Sequence, residues 1–210
     1  MNKILLPAML AFFLTCSCSR CFEDCGNGAL EFDLPLKVYG VKDTIGLGDT
    51  LRIRLDVPDR LVERSNGELY SFIDYDFELI SYIGRVDSMP TVADTKLYFN
   101  WIDAEGESTY FGGVYIISPK YHDNTYQYEA LIIPKQKGLY VFGMNSDFSR
   151  ASPLAKLDGP CSKRPVYVYM KLENLMDVNF EFLQYSPEPV YINLDRKRFD
   201  EFAGFCFYVR

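Results

Sequence analysis

Four of the chain's six cysteines lie within ten residues, in the stretch LTCSCSRCFEDCG, as Cys16, Cys18, Cys21 and Cys25. Such a cluster can hold a metal, run thiol–disulfide exchange, form structural disulfides or carry a covalent attachment. A tetrahedral zinc set needs paired ligands, and neither a second CxxC nor a nearby histidine accompanies this one. Cys18 and Cys21 have redox-motif spacing, but no βαβ pattern surrounds them. The remaining cysteines are Cys161 and Cys206. His122 is the single histidine, so a centre built on several histidines within one chain is excluded. No GxSxG elbow or HExxH helix occurs. Carboxylates recur at spacing two in Asp74, Asp76 and Glu78 and again in Asp103, Glu105 and Glu107. Either set could bind Ca²⁺ or perform acid–base work. The first set is expected on the solvated face of a strand that buries Ile73, Tyr75, Phe77 and Leu79. The second contains Gly106 and fits a hairpin loop, with spacing unlike an EF-hand. Neither is assigned a metal, and no cofactor is expected.

The segment before the cysteines explains the cluster better. Lys3 precedes an apolar run over residues 4–14, the order of a secretory signal and too short to span a bilayer as a helix. This N-terminus resembles the lipobox of bacterial lipoproteins, in which a small residue precedes a cysteine that is lipidated and becomes the mature N-terminus. The resemblance implies lipidation at Cys18, after Ser17, or at Cys16, after Thr15; an ordinary cut after Ser19 is the alternative. Parity favours Cys18, because Cys21, Cys25, Cys161 and Cys206 then remain as an even set of disulfide candidates in an oxidising compartment. Three connectivities are open, and pairing of Cys21 or Cys25 with Cys161 or Cys206 is preferred. The expected organisation is a signal peptide over 1–17, a lipid-anchored tether over 18–28 and one domain over 29–210.

Composition describes that domain. With 16 Tyr, 16 Phe and one Trp, the chain is rich in residues that favour strands. Its net charge of −7 argues against nucleic acid and against adhesion through a basic patch. Period-two alternation appears at Leu51/Ile53/Leu55/Val57, Leu97/Phe99/Trp101, Tyr126/Tyr128/Ala130/Ile132 and Val166/Val168/Met170/Leu172. Shorter runs over 34–39, 77–83, 114–118, 139–144, 190–193 and 205–209 add further strands. Turn residues separate them at 46–49, 65–67, 104–106 and 135–138. Gly46 and Gly48 lack the third glycine, Lys-Ser/Thr or following helix of a phosphate loop and are read as a turn. This pattern predicts an all-β (β-rich) fold: an Ig-like antiparallel β-sandwich with short helical insertions near the C-terminus, over 173–184 and 195–202. The strands after Gly138 and Gly204 are expected to be neighbours, and Tyr140 could be a buried corner tyrosine.

The segment Asp43-Thr-Ile-Gly-Leu-Gly-Asp-Thr-Leu resembles a D-T-I-x-x-G-D-T-L hairpin of Bacteroidetes-type lipoproteins and Ig-like surface modules. That resemblance implies a sandwich on a lipid anchor and transfers no catalytic residue. Aromatic residues supply the binding candidates. Trp101, Tyr110 and Tyr121, near Phe111 and Tyr115, could stack on sugars or grip a protein, or could fill the core. The function expected is a non-enzymatic binding or assembly module, lipid-anchored to the outer membrane of a cell envelope, with an envelope protein or glycan as partner and the membrane face open. Alternatives are a carbohydrate-binding accessory protein of a glycan-uptake system and an envelope hydrolase using paired carboxylates.

Overall fold

A computed structural model describes residues 29–40, 43–89, 94–146, 166–175 and 177–210. Cys16, Cys18, Cys21, Cys25 and Cys161, and with them the signal and tether, lie outside the described residues. In chain order the elements are β1 (Leu30–Tyr39), β2 (Thr44–Ile45), β3 (Leu51–Pro58), β4 (Arg60–Val62), β5 (Leu69–Ser71), β6 (Leu79–Arg85), α1 (Thr95–Tyr98), β7 (Phe99–Glu105), β8 (Glu107–Phe111), β9 (Val114–Ser118), β10 (Lys120–His122), β11 (Thr125–Pro134), β12 (Gly138–Ser146), β13 (Val166–Leu172), a 3-10 turn (Phe180–Tyr185), α2 (Pro189–Ile192), α3 (Arg196–Glu201) and β14 (Phe205–Val209).

Alternation builds the first sheet. β1, β3 and β11 bury every second side chain, and pairing β1 with β3 and β3 with β11 in antiparallel register puts those side chains on one face. The order is β10-β11-β3-β1-β13, with β7 also on β11. The second sheet runs β2-β14-β12-β6-β9-β8. The inner faces meet in one core that includes Phe32, Leu34, Leu55, Tyr128, Phe142, Phe205 and Phe207. The β-sandwich read from the sequence is therefore present. Two of its pairs, β1–β13 and β14–β2, are parallel. The segment 43–51 makes its turn, with Asp49 N donating to Gly46 O at 3.2 Å. Its flanking strands join different sheets, however, so it is a crossover and not a hairpin.

The strands after Gly138 and Gly204 pair directly, Gly138 opposite Val209 and Phe142 opposite Phe205. Both faces of β12 are buried because the C-terminal helical segment covers the outer one. Leu183 and Phe199 pack there on Leu139, Val141 and Cys206. Gly204 permits this packing, since a Cβ at that position would lie 2.7 Å from the Phe199 ring. Asp195 caps α3 by accepting from Arg198 N, and Ala203, at φ +47°, ends the helical turn one residue before Gly204. Tyr140 is fully buried, and its hydroxyl donates to the carbonyl of Gln136 at 3.1 Å, four residues upstream. That is the geometry of a tyrosine corner. Tyr140→Phe is expected to cost about 1 kcal/mol by leaving that carbonyl without its partner, read as a lowered urea midpoint with unchanged slope.

Three local expectations are corrected. Residues 190–193 are not a strand: Pro189 starts α2, and Val190 and Ile192 are exposed. Leu97 belongs to α1 and is exposed. Among the described residues of 173–184, helical structure is limited to the 3-10 turn, because Asn179 adopts a left-handed conformation just before it.

Candidate functional site

The side chains able to do chemistry sit on β7, β8 and β9, where the edges of the two sheets meet. The tight turn at Gly106, φ +75°, sends the chain from one sheet to the other. Trp101 of β7 consequently stacks on Tyr115 of β9, with centroids 4.5 Å apart at 14°, and Tyr110 of β8 meets Tyr115 edge-on at 5.4 Å. Two of the three aromatic candidates are thus brought together, through Tyr115.

Asp103 organises this edge. Its carboxylate accepts from Trp101 Nε1 at 3.2 Å, from the Tyr128 hydroxyl at 2.7 Å and from Ser108 Oγ and N at 2.8 and 3.0 Å. Trp101 Nε1 also donates to the Tyr128 oxygen at 2.8 Å. Burial, then the Asp103 charge and hydrogen bond, push the Tyr128 phenol far up, so its proton is held. Asp94 caps α1 and accepts from the Tyr110 hydroxyl at 2.5 Å. That bond, more than burial, pushes the Tyr110 phenol up to about 12. Lys96 stands over the Tyr110 ring at 5.3 Å. Asp94 and Asp103 hold phenols, an indole and a turn in place, and both Asp103 oxygens are occupied by those donors, while Glu105 and Glu107 are exposed on either side of the Gly106 turn.

Tyr121 is elsewhere. Its hydroxyl donates to Asp59 at 3.0 Å, and its ring lies 4.8 Å from Tyr126. It ends a chain of rings running through Phe77 and Phe72 to Phe32. The expected strand face of Asp74, Asp76 and Glu78 is absent: Asp74 is left-handed at φ +62°, and the backbone from Phe72 to Glu78 is turn and irregular structure. His122 is exposed, with Nε2 3.2 Å from Asp123. Among the described residues, no group of three or more His, Cys, Asp or Glu is placed to hold a metal ion. Cys206, a disulfide candidate on sequence, is a free thiol in this structure. It is 1 % exposed beneath the C-terminal helical segment, and burial pushes its pKa up.

Sequence reasoning missed a groove of ≈ 710 Å³ between β13 and α3. Met170, Leu172, Leu175 and Val178 give it an apolar floor. Arg64 stands at the rim, pairing with Glu31 at 3.8 Å and Asp33 at 3.5 Å and covering Tyr169 at 4.5 Å. Arg196–Asp200 and Lys197–Glu201 pairs line the opposite rim. The signal for it was Arg196-Lys-Arg followed by Asp200-Glu, a helix face of both charges, set beside a strand with half-buried ends.

Trp101 is the chain's single tryptophan, which makes it a reporter. One ring face and its N–H are already occupied, so soluble oligosaccharides are expected to leave its emission unchanged. A saturable shift in a fluorescence titration would favour sugar stacking at this edge.

No protein-family model matches the chain, and no curated protein sequence matches it. Among solved structures, a human F-spondin reeler domain is 13% identical, over 74% of this chain and 93% of that one, with TM-score 0.31. A second human F-spondin reeler structure is 18% identical, over 71% and 89%, at 0.32. A type II cohesin dyad from the adaptor ScaA scaffoldin of Acetivibrio cellulolyticus is 9% identical, over 66% of this chain and 46% of that one, at 0.32.

Proposed function

We propose that this chain is a non-enzymatic binding or assembly module held on a cell envelope by an N-terminal lipid at Cys18. The observation that carries the binding role is the groove between β13 and α3. An apolar floor between rims carrying both charge signs is the composition of a protein-recognition surface: burial supplies affinity and charge supplies register. Asp94 and Asp103 support this reading, since the hydrogen bonds they accept hold the sandwich edge closed. The anchor rests on the lipobox-like sequence and the export signal.

Two measurements test the two halves. The N-terminal peptide of protein recovered from membranes is expected to carry an acyl mass on Cys18; an unmodified N-terminus at Arg20 overturns the anchor. In a mild detergent extract the protein is expected to migrate as a complex that Lys171→Glu with Lys197→Glu dissolves. Both side chains are exposed, so the fold should be unaffected. Migration of the unsubstituted chain as a single copy overturns the binding role.

A further inference from the structure

The β4–β5 hairpin presents two opposite faces. Leu61 and Tyr70, paired across it, face inward: Leu61 is 6 % exposed, and Tyr70 packs edge-on against Phe32 at 5.6 Å. Val62 and Leu69, the next cross-strand pair, face outward and are 57 % and 58 % exposed. Two opposed apolar side chains exposed to this degree form a small patch that a partner surface can cover. Arg60, two residues from Val62 and therefore on the same face, is exposed too.

The position of this hairpin indicates what covers it. The end of its first strand and the start of its turn are bonded to the first residues of β1: Glu31 N donates to Glu63 Oε1 at 3.2 Å, Arg64 N donates to Glu31 O at 2.9 Å, and Phe32 bridges to Glu63. The hairpin thus stands beside the point where residues 18–28 enter the body. A chain of that length reaches at most about 40 Å from Cys18 when fully extended. A lipid on Cys18 therefore keeps this corner of the sandwich within that distance of the bilayer.

We infer that the outward face of the β4–β5 hairpin is a membrane-docking surface, with Val62 and Leu69 entering the headgroup–acyl boundary and Arg60 meeting lipid phosphates. The inference rests on the anchor at Cys18. The lipid holds the chain at the bilayer, and a weak apolar contact kept close by the tether gives that attachment an orientation. The docked orientation also fixes which way the neighbouring groove faces, since Arg64 belongs to both.

The test uses the full acylated chain in vesicles of phosphatidylethanolamine and phosphatidylglycerol with brominated acyl chains, which quench tryptophan at the boundary. Emission of the unsubstituted protein, from Trp101, sets the baseline. The added tryptophan of Val62→Trp, or of Leu69→Trp as a second variant, is expected to be quenched. That of Ile102→Trp, exposed on β7, is expected to keep its emission. Acylated protein with unquenched tryptophan at 62 and 69 overturns the docking and leaves the anchor standing. Equal quenching at 102 also overturns it, because the hairpin is then not the face presented. Absence of acyl mass on the same sample removes the anchor, and the docking with it.

Discussion

Phe72→Ala is expected to lower the unfolding free energy by about 3–5 kcal/mol, whereas Ile73→Ser, one residue on, should change it by no more than ~0.5 kcal/mol. The contrast follows from local geometry. Phe72 is 1 % exposed and lies within 4.8, 5.1 and 5.7 Å of the rings of Phe32, Tyr75 and Phe77. Its backbone is fixed as well: its N–H donates to Asp59 O at 2.6 Å, and its carbonyl accepts from the Tyr126 hydroxyl at 2.6 Å. The lining of any cavity is therefore held from several sides and relaxes little, which places the cost in the upper part of the range for aromatic truncation. Ile73 points outward, 48 % exposed. Urea midpoints of the two variants test the assignment. A strand running through 73, 75 and 77 with one buried face would reverse their order.

That pair of residues also shows where the sequence stops being legible. β1, β3 and β11 are readable because each buries one face, so solvent and core impose a strict period of two. The run from Phe72 to Leu79 carries the same alternation on paper. Left-handed Asp74 breaks its phase, so Phe72 and Phe77 go inward while Ile73 goes out. Nothing in the one-dimensional pattern marks that residue, since Asp is common on solvated strand faces as well as in turns. Val190 misleads in the opposite direction: Pro189 pre-sets a helical φ, and the β-branched residues that suggest a strand are on a helix facing water. At the candidate site, the closeness of Trp101 and Tyr110 was legible as sequence density. Their joining through Tyr115 depends on the chain changing sheets at Gly106. Long-range polar locks gave no signal at all. The Asn174 side-chain amide bonds both N and O of Val38, at 2.8 and 2.7 Å, and extends the β13–β1 pairing past the end of the strand from 136 residues away.

Glu63→Ala is expected to cost about 2–3 kcal/mol at neutral pH and progressively less in acid. Glu63 is 1 % exposed, yet its carboxylate is fully served: Oε1 accepts from Glu31 N at 3.2 Å, while Oε2 accepts from Ser65 N, Ser65 Oγ and Asn66 N at 2.8, 2.7 and 2.8 Å. It closes the Ser65-Asn66-Gly67 turn and ties the β4–β5 hairpin to β1. Burial alone would raise its pKa, but the hydrogen bonds from Ser65, Asn66 and Glu31 outweigh burial and hold the value below the ordinary 4.5. A carboxyl whose folded pKa is depressed binds its proton more weakly folded than unfolded. Its stabilisation is therefore complete above the unfolded pKa and is lost as pH falls through the folded one. Every other titrating group is shared by the two proteins, so the difference between wild-type and Glu63→Ala unfolding free energies isolates this carboxylate. Urea denaturation across the pH range should show that difference level near neutrality and shrinking below about pH 4.5. A difference that stays constant into acid would mean that Glu63 acts through packing alone. The hairpin carrying Val62 and Leu69 would then be held to β1 by its apolar inner face, and protonation would leave its attachment intact.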